Sequence, residues 1–144
     1  MAMLQTSTFQ SVFLYMSKKV FTIKSDRKLI VVKELMDWAH CRHVPVVNEK
    51  EELVGMVSHR DLLAASVSSV GDNISNFERT EKLRTIPLQA VMHSPVTSIS
   101  SSSSIQDAAR LMRTQKIGCL PVVDSGKLVG ILTDYDLLKI VEEL

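Results

Sequence analysis

The stretch Val44-Pro45-Val46-Val47-Asn48-Glu49-Lys50-Glu51-Glu52-Leu53-Val54-Gly55-Met56-Val57-Ser58-His59-Arg60-Asp61-Leu62-Leu63 returns later in the chain. There it reads Leu120-Pro121-Val122-Val123-Asp124-Ser125-Gly126-Lys127-Leu128-Val129-Gly130-Ile131-Leu132-Thr133-Asp134-Tyr135-Asp136-Leu137-Leu138. Pro45 answers to Pro121 and Gly55 to Gly130, with one residue fewer between them in the second copy. The missing residue falls between two valine-rich runs, where a hairpin turn tolerates a change of length. An internal repeat of this size governs the reading of everything around it.

Working outward, residues 11–16 predict a short helix and align with residues 87–92. Residues 20–23 are a short β-rich run matched by residues 96–99. A helix follows in each copy. Ile105, Ala108, Ala109 and Met112 fall at i, i+3, i+4, i+7, a buried stripe. Leu29, Val32, Met36 and Ala39 make the matching stripe, although Ile30-Val31-Val32 is β-branched and helical only under tertiary demand. Ser104 with Asp107 predicts a capped start, whereas the first copy has Lys28 there and must begin its helix differently. Two strands and a closing helix, opening at Ser58 or Thr133, complete each copy. The fold class expected is α/β (α+β), with two β-α-β-β-α repeats packed by pseudo-two-fold symmetry. The expected boundaries are a tail at 1–10, repeat 1 at 11–65, a connector at 66–86 and repeat 2 at 87–144. The five serines at 100–104 resemble a linker, but they align with residues 24–28 inside a copy and so form a strand-to-helix loop. The connector carries Gly71-Asp72-Asn73 and a charged run at 78–84, and its later part is expected to be a solvated helix.

Bulk properties narrow the function classes. A copy of about 60 residues buries too little surface to be comfortably stable alone, so two copies should pack together and leave a cleft. The net charge of +1 gives no hint of a nucleic-acid or membrane surface. No apolar run approaches the ~18 residues of a membrane span. The N-terminus lacks the pattern of a secretory signal. Two cysteines without framework spacing fit reduced thiols. A cytoplasmic, soluble protein is expected.

The chemistry-bearing pattern is Gly-apolar-apolar-Ser/Thr-x-x-Asp after the last strand of each copy: Gly55 to Asp61 and Gly130 to Asp136. Helix capping alone accounts for Ser58 with Asp61 and for Thr133 with Asp136. The same residues also suit a ribose-phosphate, since a helix N-terminus after a strand attracts anions and an acid can accept ribose hydroxyls. Cys41 with His43 or His40 lacks a second ligand pair at metal spacing, so no metal site is expected. Cys119 aligns with His43 and reads as a small buried hydrophobe. Trp38 reads as core or interface packing. No nucleophile triad or paired carboxylates stand out, so no enzyme is expected.

Taken together, these motifs resemble the cystathionine-β-synthase-type (CBS) domain, and the chain resembles a stand-alone tandem pair, or Bateman module. The matching pieces are Met16 to Ile23 with Met92 to Ile99, residues 42–47 with 116–123, and both Ser/Thr-x-x-Asp segments. The resemblance implies a regulatory, non-catalytic module binding AMP, ADP, ATP or S-adenosylmethionine, with no required cofactor. It implies crosswise sites. One joins Thr97, Ser98, Ile99, Ile117, Gly118 and Leu120 to Ser58, His59, Arg60 and Asp61. The other joins Phe21, Thr22, Ile23, Cys41, Arg42 and Val44 to Thr133, Asp134, Tyr135 and Asp136. The Asp61 site is expected to be the better one, having small Thr97 and Gly118 in the slot and His59 and Arg60 for phosphate. Bulky Phe21 and Arg42 and the extra acid Asp134 should weaken the Asp136 site, with the charge of Arg42 offsetting part of the Asp134 repulsion. The resemblance also implies a homodimer and an unidentified protein target. The alternative is a dimerising interaction module whose clefts are vestigial and whose Ser/Thr-x-x-Asp segments only cap helices.

Overall fold

A computed structural model describes residues 10–67 and 75–144. Gly71-Asp72-Asn73 of the connector, and the tail up to Phe9, lie outside the described residues. In chain order the elements are α1 (Val12–Tyr15), β1 (Ile23–Lys24), α2 (Leu29–Ala39), β2 (His43–Val47), β3 (Leu53–Ser58), α3 (His59–Ala65) and α4 (Asn76–Leu83). A 3-10 turn (Leu88–Ala90), α5 (Ile105–Gln115), β4 (Cys119–Asp124), β5 (Lys127–Thr133) and α6 (Asp134–Glu142) follow. The fold is α+β.

The repeat is visible in the pairing. β2 and β3 are antiparallel with Pro45 opposite Met56, and β4 and β5 are antiparallel with Pro121 opposite Ile131. β1 runs parallel to β2, Ile23 beside Val46. In the second copy this pairing shrinks to one parallel bridge, Ile99 to Val122, so residues 96–99 form no named strand. The length difference between copies resides in the turn. Ser125 and Gly126 both have positive φ, giving the two-residue loop that suits twisted strands. In the first copy the Asn48 side chain instead accepts from Lys50 N at 2.9 Å and Glu52 N at 3.0 Å, closing a longer turn.

The chain forms two compact units. A central unit spans Phe21–Val96, and a terminal unit joins the chain up to Val20 with Thr97–Leu144. The sequence repeats and the compact units therefore do not coincide. The leading segment of repeat 1 packs in the unit built by the helices and strands of repeat 2, and the leading segment of repeat 2 packs with repeat 1.

The same bonds hold both exchanged segments. Val12 N donates to Ser103 O at 2.8 Å, and Leu88 N to Arg27 O at 2.9 Å. Ser17 and Ile131 exchange backbone bonds of 2.8 and 2.9 Å; His93 and Met56 exchange bonds of 2.8 and 3.0 Å. The unusual helix start at Lys28 is explained here, because Lys28 makes no side-chain cap. Leu29 N donates instead to Ile86 O at 2.9 Å, a carbonyl of the incoming segment. In the second copy Ile105 N donates to Gln10 O at 3.0 Å, while Ser104 also caps Asp107 N.

Each unit has its own core. Leu29, Val32, Met36, Val44, Val46, Val57 and Leu88 are buried in the central one, and Leu83 ties α4 to it. Val12, Met16, Ile105, Ala108, Met112, Leu120, Val122 and Leu132 fill the terminal one. Leu29, Val32 and Met36 of one predicted stripe and Ile105, Ala108 and Met112 of the other face these cores, while Ala39 and Ala109 are half-buried. The β-branched run of α2 is helical because Ile30 and Val32 are buried there. α4 is the expected solvated helix, its exposed first turn capped by Ser75.

Candidate functional site

The two Ser/Thr-x-x-Asp segments form the heads of α3 and α6. In the central unit Asp61 N donates to Ser58 Oγ at 3.1 Å and Ser58 N donates to Asp61 Oδ2 at 2.8 Å, a reciprocal capping box. His59 N donates to Arg42 O at 2.7 Å, which ties the helix head to the residues before Pro45. In the terminal unit Asp134 N donates to Gly118 O at 3.0 Å in the same way. Asp136 Oδ2 accepts from Thr133 N at 2.9 Å and from Thr133 Oγ1 at 3.2 Å. Capping is therefore realised at both heads. It also uses up donors that an anion would need, since His59 N and Asp61 N are both engaged within the protein.

Each unit brings together the strand-side residues of one expected site and the helix-head residues of the other. Beside Ser58, His59, Arg60 and Asp61, the central unit holds Phe21, Thr22, Ile23, Cys41, Arg42 and Val44. Ile23 and Val44 are buried, Phe21, Thr22 and Cys41 half-buried, and Arg42, His59 and Arg60 exposed. Beside Thr133, Asp134, Tyr135 and Asp136, the terminal unit holds Thr97, Ser98, Ile99, Ile117, Gly118 and Leu120. Leu120 is buried, Ile99, Ile117 and Gly118 are half-buried, and Ser98, Asp134 and Tyr135 are exposed. A Cβ on Gly118 would lie 3.0 Å from Asp134 Oδ2, so the absent side chain is what admits this carboxylate.

Three neighbours were not anticipated from the sequence. His93 Nε2 lies 2.8 Å from Asp61 Oδ1. Gln115 Oε1 accepts from Thr97 Oγ1 at 2.6 Å. Trp38, expected in a core or interface, is 72% exposed and meets Phe21 edge to face with ring centroids 5.5 Å apart. His93 stands where the first copy has Ser17, directly after the methionine of each motif, and that departure between the copies was the available signal.

The electrostatics follow the partners. Burial works to raise the Asp61 pKa, but the bonds from His93 and from Ser58 outweigh it and hold the carboxyl below its ordinary value. Burial, with the negative charges of Asp134 and Asp136 adding to it, pushes the Cys119 thiol up to about 12. Cys119 is buried, as its alignment suggested, and is held as a neutral thiol. Burial also raises Cys41, against a backbone hydrogen bond that lowers it. Among the described residues no group of three or more His, Cys, Asp or Glu could hold a metal ion. No helix there is long and apolar enough to cross a membrane.

The CBS domain profile matches residues 11–68 and again 88–143. A CBS domain-containing protein of Dictyostelium discoideum is 36% identical over 127 residues, covering 87% of this chain and 86% of that one. The chain spans less than half the length of several other curated relatives. Among solved structures, an acetoin utilization protein (AcuB) of Vibrio cholerae is 38% identical with a TM-score of 0.76, covering 92% of this chain and 90% of that one. CBSX2, solved in complex with AMP, is 27% identical with a TM-score of 0.76, covering 93% of this chain and 97% of that one.

Proposed function

The chain belongs to the CBS domain family, and from that premise we propose that it is a regulatory module that senses adenosine-containing nucleotides and catalyses nothing itself. The observation that carries this reading is the repeated helix head, with Asp61 and Asp136 each fixed through one oxygen by the backbone N–H of the residue that opens the segment. A carboxylate so fixed, beside a hydroxyl and after an apolar strand, is suited to a ribose diol. The AMP held by the similar CBSX2 makes AMP the first ligand to test, with ADP, ATP and S-adenosylmethionine after it.

The residues proposed to hold the ligand are the two sets implied by the family pattern, one around Asp61 and one around Asp136. The family pattern puts small Thr97 and Gly118 in the Asp61 set, and His59 and Arg60 of that set are exposed for phosphate. In the Asp136 set, Phe21, Arg42 and the acid Asp134 work against it. We place the protein in the cytoplasm on its two free thiols. Its signal would pass to a protein target through differential affinity of two conformations for the ligand.

Thermal unfolding with each nucleotide tests the reading, because a ligand at a hundredfold its Kd adds about 2.7 kcal/mol of stability. AMP is expected to raise Tm, with Asp61→Ala losing more of the shift than Asp136→Ala. Equal losses remove the asymmetry, and no shift with any of the four ligands at millimolar concentration removes the function. A second reading, a homodimeric interaction module, is favoured by one observation. Tyr135, Leu138 and Val141 lie at i, i+3, i+6 on α6 and are all exposed.

A further inference from the structure

We infer that His93 is a specificity-determining residue of the Asp61 site, occupying the carboxylate oxygen that a ligand's ribose hydroxyl would use. This rests on the nucleotide reading above. Asp61 has two oxygens to offer. Oδ2 accepts from Ser58 N at 2.8 Å as part of the helix cap, which keeps that oxygen turned toward the helix head. Oδ1 takes no part in the cap, and His93 Nε2 sits 2.8 Å from it. The Asp61 side chain is 16% exposed and that of His93 70%, so the imidazole is the solvent-side member of the pair.

The position of His93 is set by its backbone. Two bonds to Met56 fix the main chain, and the preceding Met92 lies against Gly55, where an added Cβ would come within 2.6 Å of its sulfur. The side chain can swing away only by rotating about its own bonds. A ligand hydroxyl must therefore share Oδ1 with an imidazole already bonded to it on the solvent side, or displace that imidazole.

The other unit provides the control. Ser17 has the equivalent bonds to Ile131, and Met16 lies against Gly130 as Met92 does against Gly55. No imidazole is present there. Asp136 takes both bonds from Thr133 on Oδ2, and its Oδ1 has no partner among the described residues. The helix head and its supporting segment are thus alike in both units, and the competitor is present in one.

The test is AMP binding measured by calorimetry in an Asp136→Ala background. His93→Ser is expected to tighten AMP roughly three- to tenfold, the worth of one net hydrogen bond. The gain should vanish with 2′-deoxy-AMP, and His93→Gln, which keeps a donor, should stay near the unsubstituted affinity. Unchanged or weaker AMP binding by His93→Ser overturns the proposal, as does an equal gain with the deoxy ligand. A ligand-free double-mutant cycle on urea unfolding, using His93→Ser and Asp61→Ala, should show non-additive losses; additivity also overturns it. If no variant binds AMP, the nucleotide reading itself falls and the specificity role with it, a result unlike AMP binding that ignores His93.

Discussion

Asp61 is held in its charged form by contacts that exist only in the folded state. Desolvation opposes that charge, but the bonds from His93 and Ser58 prevail, so the folded pKa lies below the unfolded one. The linkage sign follows. Stability from this group is present above the unfolded carboxylate value of about 3.9 and is lost as pH falls through the folded pKa. Asp124 behaves likewise, lowered first by the Ser101 hydroxyl and then by the Ser101 backbone N–H. Urea midpoints measured from pH 6 to pH 2.5 should therefore fall on the acid side, and Asp61→Asn should flatten part of that fall while leaving the share of Asp124. An acid limb unchanged by Asp61→Asn would show that the carboxylate is not preferentially stabilised. The capping role of Asp61 could be read from its spacing to Ser58. Its partnership with His93 could not, because residues distant in sequence meet there through tertiary pairing.

The elements meet through glycines placed to receive methionines. Gly55 and Gly130 are a conspicuous part of the repeat, and a turn or bulge would be the usual reading of a glycine inside a strand. Their use is close approach. A Cβ at Gly130 would fall 2.6 Å from Met16 Sδ and 3.0 Å from Ser17 O; at Gly55 the same atoms would be Met92 Sδ at 2.6 Å and His93 O at 3.3 Å. A thioether can swing aside, but a paired backbone carbonyl cannot. Gly130→Ala and Gly55→Ala should each destabilise by about 1–3 kcal/mol, with Gly130→Ala the larger, as read from urea midpoints at constant m. Losses under half a kcal/mol at both would mean that the segments are not seated against β3 and β5 as described. Strand and helix identities were legible because their patterns survive in both copies. At 96–99 the β-branched residues predict a strand, yet the segment keeps a single bridge to β4.

At the scale of the molecule, sequence alignment assigns each leading segment to its own repeat, since it follows covalent order and is blind to which core a segment enters. The hydrophobic clusters assign it otherwise. Val12 is fully buried and Met16 nearly so among Leu120, Val122 and Leu132, and Leu88 is fully buried among Leu29, Val46 and Val57. Neither repeat therefore contains all of its own core. Burying a side chain such as Val12 or Met16 is worth about 1.5–3 kcal/mol, so losing the pair removes roughly 3–6 kcal/mol. Small domains have about 5–15 kcal/mol in total. Removal of this segment also deprives Ile105 N of its acceptor and strips the backbone partner from Ile131. A chain beginning at Phe21 should consequently lose the terminal unit while the central unit keeps its core. Amide exchange would show this as protection lost across β4 and β5 and kept across β2 and β3. A peptide of residues 10–20 supplied in trans should restore the lost protection. Full protection of β4 and β5 in the truncated chain would mean that the leading segment decorates the terminal unit rather than completing it.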